Sequence, residues 1–574
     1  MTVHSSLSLR RSAPLHGPAV AVAVLVAAVA TAMVTTPTTA ATGGAAGPAS
    51  SPPPAVPAGY PLFPLALQPI LTPAVRSREV PFVFRTTAAV FAAWWDCVVP
   101  YVDVRGGKGR VRDSFGRRPR VTASARASNV ESMGVCAAAA SAVLAEHLLS
   151  SATADAYYER AKELGNPLPR DQNCGKGAAL RPDKAGCYGV AVARRLINDR
   201  LAGDGFNEAG TDKGTIRGVP NDVGRGLRRP FRDVVVGHTP VNSPWSVTRL
   251  LRWTPLEEDL TGTGTYVTQR ITAPQASVAR PYLLSRSMLA KRRVARPYPH
   301  EDEYAPDFTC GDGSPDRDQV CRMVADAARA VAVSASSMRR RALITHFDDK
   351  TRSLAPLPAA VAKAVNLSYP AFVAMEFAAN GGLHDSLTAV WAEKLRHDAV
   401  RPATLVPRIL PPWGGKQSPS GGGGGRRRGG HRPFEPTIRT MPHSEYPSGS
   451  ACFCRVFTDA LAEFVPQRGP WPRLSHTFPA GESVNPAAAK AATHQPGGSR
   501  PPPPPVPTRP LTVTWPSLRA LADECSVSRL WGGLHFPAAV KAGEAMCDGL
   551  GAAAVQKVAC MAKGVPGVPR CEEK

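Results

Sequence analysis

The sequence is short of acid. Its 45 Asp and Glu stand against 69 Lys and Arg, for a formal net charge of +24 and a pI near 9.9, so the surface is expected to attract anions. The basic residues sit in runs such as 106–120, Arg339 to Arg341 and Arg426 to Arg428, without interleaved aromatics. That argues for solvated basic loops and against a nucleic-acid surface. Beyond the N-terminal region there is no uncharged run long enough to cross a bilayer, which speaks against a multi-spanning membrane protein. Zinc-type spacing is missing too. Cys452 and Cys454 make a C-x-C pair with no matching Cys or His partners around them, so a structural metal is not indicated.

What is present fits one large elaborated domain. The chain has 574 residues, 43% of them hydrophobic, with 58 Pro and 50 Gly, enough for a substantial core threaded by long irregular segments. Arg10 and Arg11 precede the apolar run 19–34 and the small residues of 39–46, the order of a secretory signal over 1–41. Export, and no stable membrane span after cleavage, are the expectation. Twelve cysteines, an even number, then predict disulfides. Cys174 with Cys187 and Cys310 with Cys321 are the local pairs to expect, and the remaining connectivity stays open. Residues 42–78 are predicted to be a flexible Ala/Pro/Gly linker, 79–574 the folded domain, and 412–433 and 486–510 flexible inserts, the second ending in a polyproline run.

Helices are expected to dominate. Segments 83–104, 131–149, 152–165 and 188–205 are rich in helix formers or buried-type residues, and the last two run into Gly165 and Gly203 or Gly205. From 214 to 320 the composition turns to Pro, Gly, Thr and Arg, and predicts loops with one hairpin from β-like runs such as 233–237 and 265–272. Helical periodicity resumes over 319–349 and 357–400, where alanine is dense enough for a close-packed bundle. The fold class is therefore mainly α, a helical bundle with long Pro/Gly-rich loops.

Three blocks carry the chemistry. In 394-KLRHDAVRP-402, Lys394 and Arg401 are seven residues apart, two turns along one face of a helix. In 443-HSEYPSGSACF-453, Pro447, Ser448 and Gly449 make a turn that presents a hydroxyl and free amides at the start of a helix predicted over 451–464. In 526-SVSRLWGGLHFPAAV-540, Arg529 and His535 flank Gly532 and Gly533. Two guanidinium groups, an ammonium, a hydroxyl, an amide and an imidazole form a donor set for a tetrahedral or trigonal-bipyramidal oxyanion.

The blocks resemble the patterns K-x6-R-P, P-S-G-H and S-R-x5-H of the vanadium haloperoxidase and type-2 phosphatidic acid phosphatase superfamily, in the same order, with 320–550 as the catalytic part. The resemblance implies vanadate as prosthetic ion, with His535 as the ligand to vanadium and Lys394, Arg401, Ser448, Gly449 and Arg529 around its oxygens. It further implies oxidation of halide by hydrogen peroxide to a hypohalous-type species that attacks a small organic acceptor; a homo-oligomer is a separate expectation, with the oligomeric state left open. The phosphatase version uses His535 as a nucleophile that forms a phosphohistidine, and a non-catalytic extracellular matrix protein is a third reading. Ser450 stands where the pattern has histidine, and serine has no acid/base function near neutrality. This favours the haloperoxidase, whose bacterial-type branch includes members with serine here. His443 and His397 lie nearby as substitutes, though both fit bystander roles. The acid that many relatives place four residues after the histidine is also missing, leaving Glu544 and Asp523 as candidates to orient His535. Trp391, Phe453 and Trp531 are candidates for an apolar wall facing the halide, with core packing the better expectation.

Overall fold

The computed structural model describes residues 60, 71–72, 79–102, 111–118, 130–170, 173–174, 184–206, 215–216, 219–220, 239–258, 266–297, 304–310, 318–410, 434–466, 474–481 and 507–572. They belong to one unit, Ser50–Lys574. The expected signal, the run 233–237 and the insert 412–433 lie outside the described residues, as does the insert 486–510 up to residue 506.

Helices carry the chain: α1 (Val80–Val98), α2 (Val130–Leu148), α3 (Ser151–Glu163), α4 (Ala185–Leu196), α5 (Gln319–Ala335), α6 (Met338–Asp348), α7 (Leu357–Ala364), α8 (Tyr369–His397), α9 (Pro402–Ile409), α10 (Gly449–Ala462), α11 (Leu518–Trp531), α12 (Pro537–Cys547) and α13 (Leu550–Met561). The mainly α bundle expected from the sequence is the fold. At its centre is α8, which is buried on all sides and packs against α1, α10 and α13, as a helix without a polar face must. Ser368 caps its start by accepting from the Ala371 amide, with Pro370 in the first turn. Gly551 lets α13 lie on α10, because a Cβ there would stand 2.4 Å from the Val456 carbonyl oxygen. Asp385 of α8 accepts from the amides of Tyr282, Leu283 and Leu284 at 2.5, 2.7 and 2.7 Å, pinning the loop region to the bundle.

Several expectations change at the boundaries. The periodic stretch 319–349 is two helices broken at Ser336 and Ser337, and Ser337 caps α6 by accepting from Arg340. Likewise 357–400 splits between α7 and α8, where Asn366 adopts φ +50°. Where one hairpin was expected there are two short pairs, Thr215–Ile216 with Val219–Pro220 and Glu257–Glu258 with Val267–Thr268, so the run 265–272 supplies a strand but its partner is 257–258, a segment the composition did not single out. An unexpected antiparallel ladder, β1 (Leu474–Phe478) with β2 (Leu511–Trp515), turns Leu474, Phe478, Val513 and Trp515 into the core. Within the stretch predicted as linker, Tyr60 and Leu71 are core residues, and the Tyr60 hydroxyl donates to Leu367 O. Among the described residues one segment, Val80–Tyr101, is long and apolar enough to cross a membrane, but it is mostly buried inside the fold. Its Arg85 makes a buried ion pair with Asp204 at 2.7 Å.

All twelve cysteines are paired. Cys174–Cys187 and Cys310–Cys321 are the two expected local bridges. Cys97–Cys136 ties α1 to α2, and Cys560–Cys571 closes the C-terminal turn. The C-x-C pair binds no metal: Cys452 bridges to Cys547 of α12 and Cys454 to Cys525 of α11, so α10 is stapled to both following helices. Six disulfides suit an extracellular, oxidising setting.

Candidate oxyanion site

The first block is not one helix face. α8 ends at His397 because Asp398 takes a left-handed conformation, φ +47°, and Arg401 is the extended residue that precedes α9. Lys394 and Arg401 therefore come from different elements, and the two-turn relation expected from their spacing does not exist. They meet through the corner between the helices. Trp253 donates to Asp398 O at 2.7 Å and Val400 donates to Leu251 O at 3.0 Å, so residues 251–253 brace that corner.

The second block folds back onto both cations. Lys394 Nζ donates to the carbonyls of Ser444, Glu445 and Pro447 at 2.8, 3.1 and 2.7 Å. Arg401 donates from Nε to His443 O at 2.9 Å, from Nη2 to His443 Nδ1 at 2.9 Å, and from Nη1 to Leu534 O at 3.0 Å in the third block. Ser444 Oγ accepts from the Ala399 amide. Arg401 is thus the residue that touches all three blocks' backbone.

Ser448 caps α10, which starts at Gly449 rather than at the expected 451, and its Oγ accepts from the Ala451 amide at 3.4 Å. As the opening residue of a helix, Gly449 has no carbonyl within that helix for its amide, and the helix N-terminus adds partial positive charge. Gly543 of α12 makes this turn's packing possible. A Cβ at residue 543 would sit 2.3 Å from Ser448 O. Without it, α12 closes on the turn and Ser448 N donates to Ala539 O at 2.9 Å.

Arg529, on the last turn of α11, donates from Nη1 to Asp348 Oδ1 at 3.1 Å, from Nη2 to Ile344 O at 2.8 Å and from Nε to Ser528 Oγ at 3.1 Å. His535 lies between α11 and α12, and its Nδ1 is 3.1 Å from Glu445 Oε1. The same oxygen accepts from the Phe536 amide at 2.8 Å. With Glu445 as carboxylate, Nδ1 carries the imidazole proton and Nε2 keeps its lone pair.

The orienting acid is therefore Glu445, not the candidates Glu544 or Asp523; Asp523 pairs with Arg519 on the surface of α11. Sequence reasoning passed over Glu445 although it stands within the second block, three residues before Ser448. Asp348 had no sequence signal at all, since it reaches Arg529 from α6.

Lys394, Arg401, Ser448, Arg529, Glu445 and His535 are all buried. His535 is held well below an ordinary histidine, first by burial and then by Arg401, Lys394, His443 and Arg529. Lys394 is likewise pushed well down by burial and Arg401, with Glu445 acting against them. Burial lowers Arg401 to about 10, and it raises Glu445 to about 7 against the pull of the Phe536 amide, Arg401 and Lys394.

Other expected residues fall outside this cluster or at its edge. Ser450 is half-buried in the first turn of α10. His443 lies between Arg401 and the Trp391 ring, 5.1 Å away, and it contributes to depressing His535. His397 accepts from Arg396 and packs on Tyr446, a bystander. Trp391 and Phe453 are core residues whose rings stack 6.5 Å apart, while Trp531 is half-buried under Arg340.

A buried imidazole with no hydrogen bond to Nε2 among the described residues, in surroundings where Arg401, Lys394 and Arg529 oppose its protonation and one carboxylate holds Nδ1, has a chemistry that fits an oxyanion such as vanadate or phosphate. Arg401 and Arg529 each have five N–H groups and use only part of them on protein acceptors. Lys394 differs, as its three hydrogens already meet three carbonyls.

Residues 374–564 match the family model of the VCPO second helical-bundle domain. Among solved structures, the chain is similar to an apo-type bacterial vanadium-dependent chloroperoxidase, at 21% identity and TM-score 0.65 over 85% of this chain and 94% of that one. It is similar to the holo-type form at 21% identity and TM-score 0.64, over 84% and 93%. A bacterial vanadium-dependent iodoperoxidase matches at 14% identity and TM-score 0.51, over 86% and 95%. No curated protein sequence matches the chain. The match to that domain lies on all three blocks, and the chain has the helical-bundle fold of the vanadium-dependent haloperoxidases to which it is similar.

Proposed function

We propose that this protein is a vanadate-dependent haloperoxidase, using hydrogen peroxide to oxidise a halide that then halogenates a small organic acceptor. The observation that carries the reading is the buried His535, held at Nδ1 by Glu445 and with no hydrogen bond to Nε2 among the described residues, beside a Leu534 carbonyl bonded to Arg401 and a Glu445 carbonyl bonded to Lys394. Vanadate, when bound, supplies a Lewis-acidic centre that activates peroxide without any redox change in the protein.

The chain's own residues do the rest. His535 offers Nε2 as the ligand to vanadium, and Glu445 fixes the ring and keeps the proton on Nδ1. Arg401 and Arg529 would hold the anion's oxygens with the N–H groups not engaged by protein acceptors. The Ser448 hydroxyl and the Gly449 amide complete the cradle. Lys394 works by charge from its carbonyl nest, and donates directly only if one carbonyl is released. Ser450 contributes a hydroxyl that orients a small reactant, without acid/base function. Burial keeps water from screening these charges.

The test incubates purified full-length protein with and without orthovanadate, then assays halogenation of a phenol dye and hydrolysis of p-nitrophenyl phosphate. Halogenation that requires vanadate is the expected result. Hydrolysis that vanadate inhibits would instead support a secreted phosphatase working through a phosphohistidine at His535. Neither activity would leave an anion-binding extracellular protein.

A further inference from the structure

A further cavity lies between α1 and α8 and reaches Lys350, two residues from the Asp348 that holds Arg529. It has a volume of about 250 Å³ and is walled by Phe84, Phe91, Phe372 and Phe457, with Glu376 and Asn380 of α8 on its surface. On α8, Glu376 and Asn380 precede Lys394 by 18 and 14 residues, which at about 1.5 Å per residue separates them from it by roughly 20 Å or more. The lining is largely apolar, and of its other polar side chains Thr87, Ser141, Lys350 and Thr351 bond within the protein, which sets the Glu376 and Asn380 end apart.

That place has a specific hydrogen-bonding pattern. Asn380 Nδ2 donates to Glu376 O and to Glu376 Oε2, both at 3.0 Å, which uses both amide hydrogens. Among the described residues, Glu376 Oε1 and Asn380 Oδ1 take no hydrogen bond, although both side chains are at least nine-tenths buried. Burial holds the Glu376 carboxyl protonated up to about 8. Its second oxygen then carries a hydrogen to donate, and Asn380 Oδ1 is an acceptor beside it. One donor next to one acceptor is the complement of a hydroxyl group, which can accept from the first and donate to the second. A cavity larger than the roughly 150 Å³ that takes benzene, and smaller than a typical drug-sized pocket, suits a single substituted ring.

We infer that this cavity binds a small, uncharged, hydroxylated aromatic molecule of the phenol class, its ring among the phenylalanines and its hydroxyl between Glu376 and Asn380. The Glu376–Asn380 end of the cavity shares no residue with the anion cluster and does not depend on the activity proposed for it.

The test uses the full-length protein without vanadate and two isosteric probes, 4-methylphenol and p-xylene, followed by calorimetry or ligand-observed NMR. Wild type and Glu376→Gln, which keeps a donor, are expected to bind 4-methylphenol. Glu376→Leu is expected to bind p-xylene while its affinity for 4-methylphenol falls at least fivefold. Thr87→Phe, which fills the cavity from α1, should abolish binding of both probes with the fold retained by circular dichroism, and it decides the matter if Glu376→Leu does not fold. Absence of 4-methylphenol binding to wild type, equal binding to Glu376→Leu, or binding that survives Thr87→Phe would overturn the inference. None of these outcomes bears on halogenation, because no turnover is measured.

Discussion

Glu445 Oε1 receives two hydrogen bonds at once, from the Phe536 amide at 2.8 Å and from His535 Nδ1 at 3.1 Å. One carboxylate oxygen thus sets both the ring and the backbone of His535, the histidine proposed here as the ligand to vanadate. Glu445→Gln keeps the shape but offers only a neutral acceptor. It should weaken orthovanadate binding by roughly 10- to 100-fold, as losses of such partners do, with His535→Ala abolishing binding. Calorimetric titration with orthovanadate checks this, and unchanged affinity in Glu445→Gln would remove Glu445 from the site.

Asp348 is about a third exposed (32%) and holds only Nη1 of Arg529. Asp348→Ala should therefore cost about 1 kcal/mol or less in stability and less than tenfold in orthovanadate affinity, because Ile344 O and Ser528 still position the guanidinium. Urea unfolding and calorimetry measure the two quantities separately.

Gly543 faces Ser448 O at a distance no side chain tolerates. Gly543→Ala should push α12 off the turn, lower stability by about 1–3 kcal/mol as overpacking does, and weaken anion binding at the same time. A variant with full thermal stability and full orthovanadate affinity would contradict the role given to this contact.

The Cys452–Cys547 bridge spans 95 residues and ties the helix that begins at Gly449 to α12. Its double replacement by alanine should cost about 2–5 kcal/mol, read from denaturant midpoints without reductant. Because Ser448 rests on α12, the same variant should bind orthovanadate more weakly.

Glu376 gives stability a pH dependence of definite sign. Its folded value is raised to about 8 from an ordinary 4.5, so between those values the unfolded chain gives up a proton that the folded chain keeps. The contribution is fully present below about 4.5, declines as pH rises, and is gone above about 8. Glu376→Gln lacks it. Wild type should lose stability relative to that variant between pH 5 and pH 8, and parallel urea midpoints would refute the assignment.

The sequence shows the parts of this site more clearly than their arrangement. The three blocks, the helical bundle and the bridges Cys174–Cys187 and Cys310–Cys321 were legible because each rests on local spacing. The partnership of Glu445 with His535 spans 90 residues and that of Asp348 with Arg529 spans 181, and no local pattern encodes either. Lys394 and Arg401 show the opposite failing. A spacing of seven suggested two helical turns, but the left-handed Asp398 ends the helix first, and such a bend is fixed by tertiary contacts rather than by propensity.

That bend makes the motif-free half of the protein a custodian of the motif. Leu251 and Trp253 hold Val400 and Asp398 by main-chain bonds, and the Trp253 side chain is fully buried. The distance between the two cations is therefore governed by a loop that touches neither of them. Substitutions at residues 250–253 would be felt first as a loosened grip on the anion, well before the bundle itself came apart.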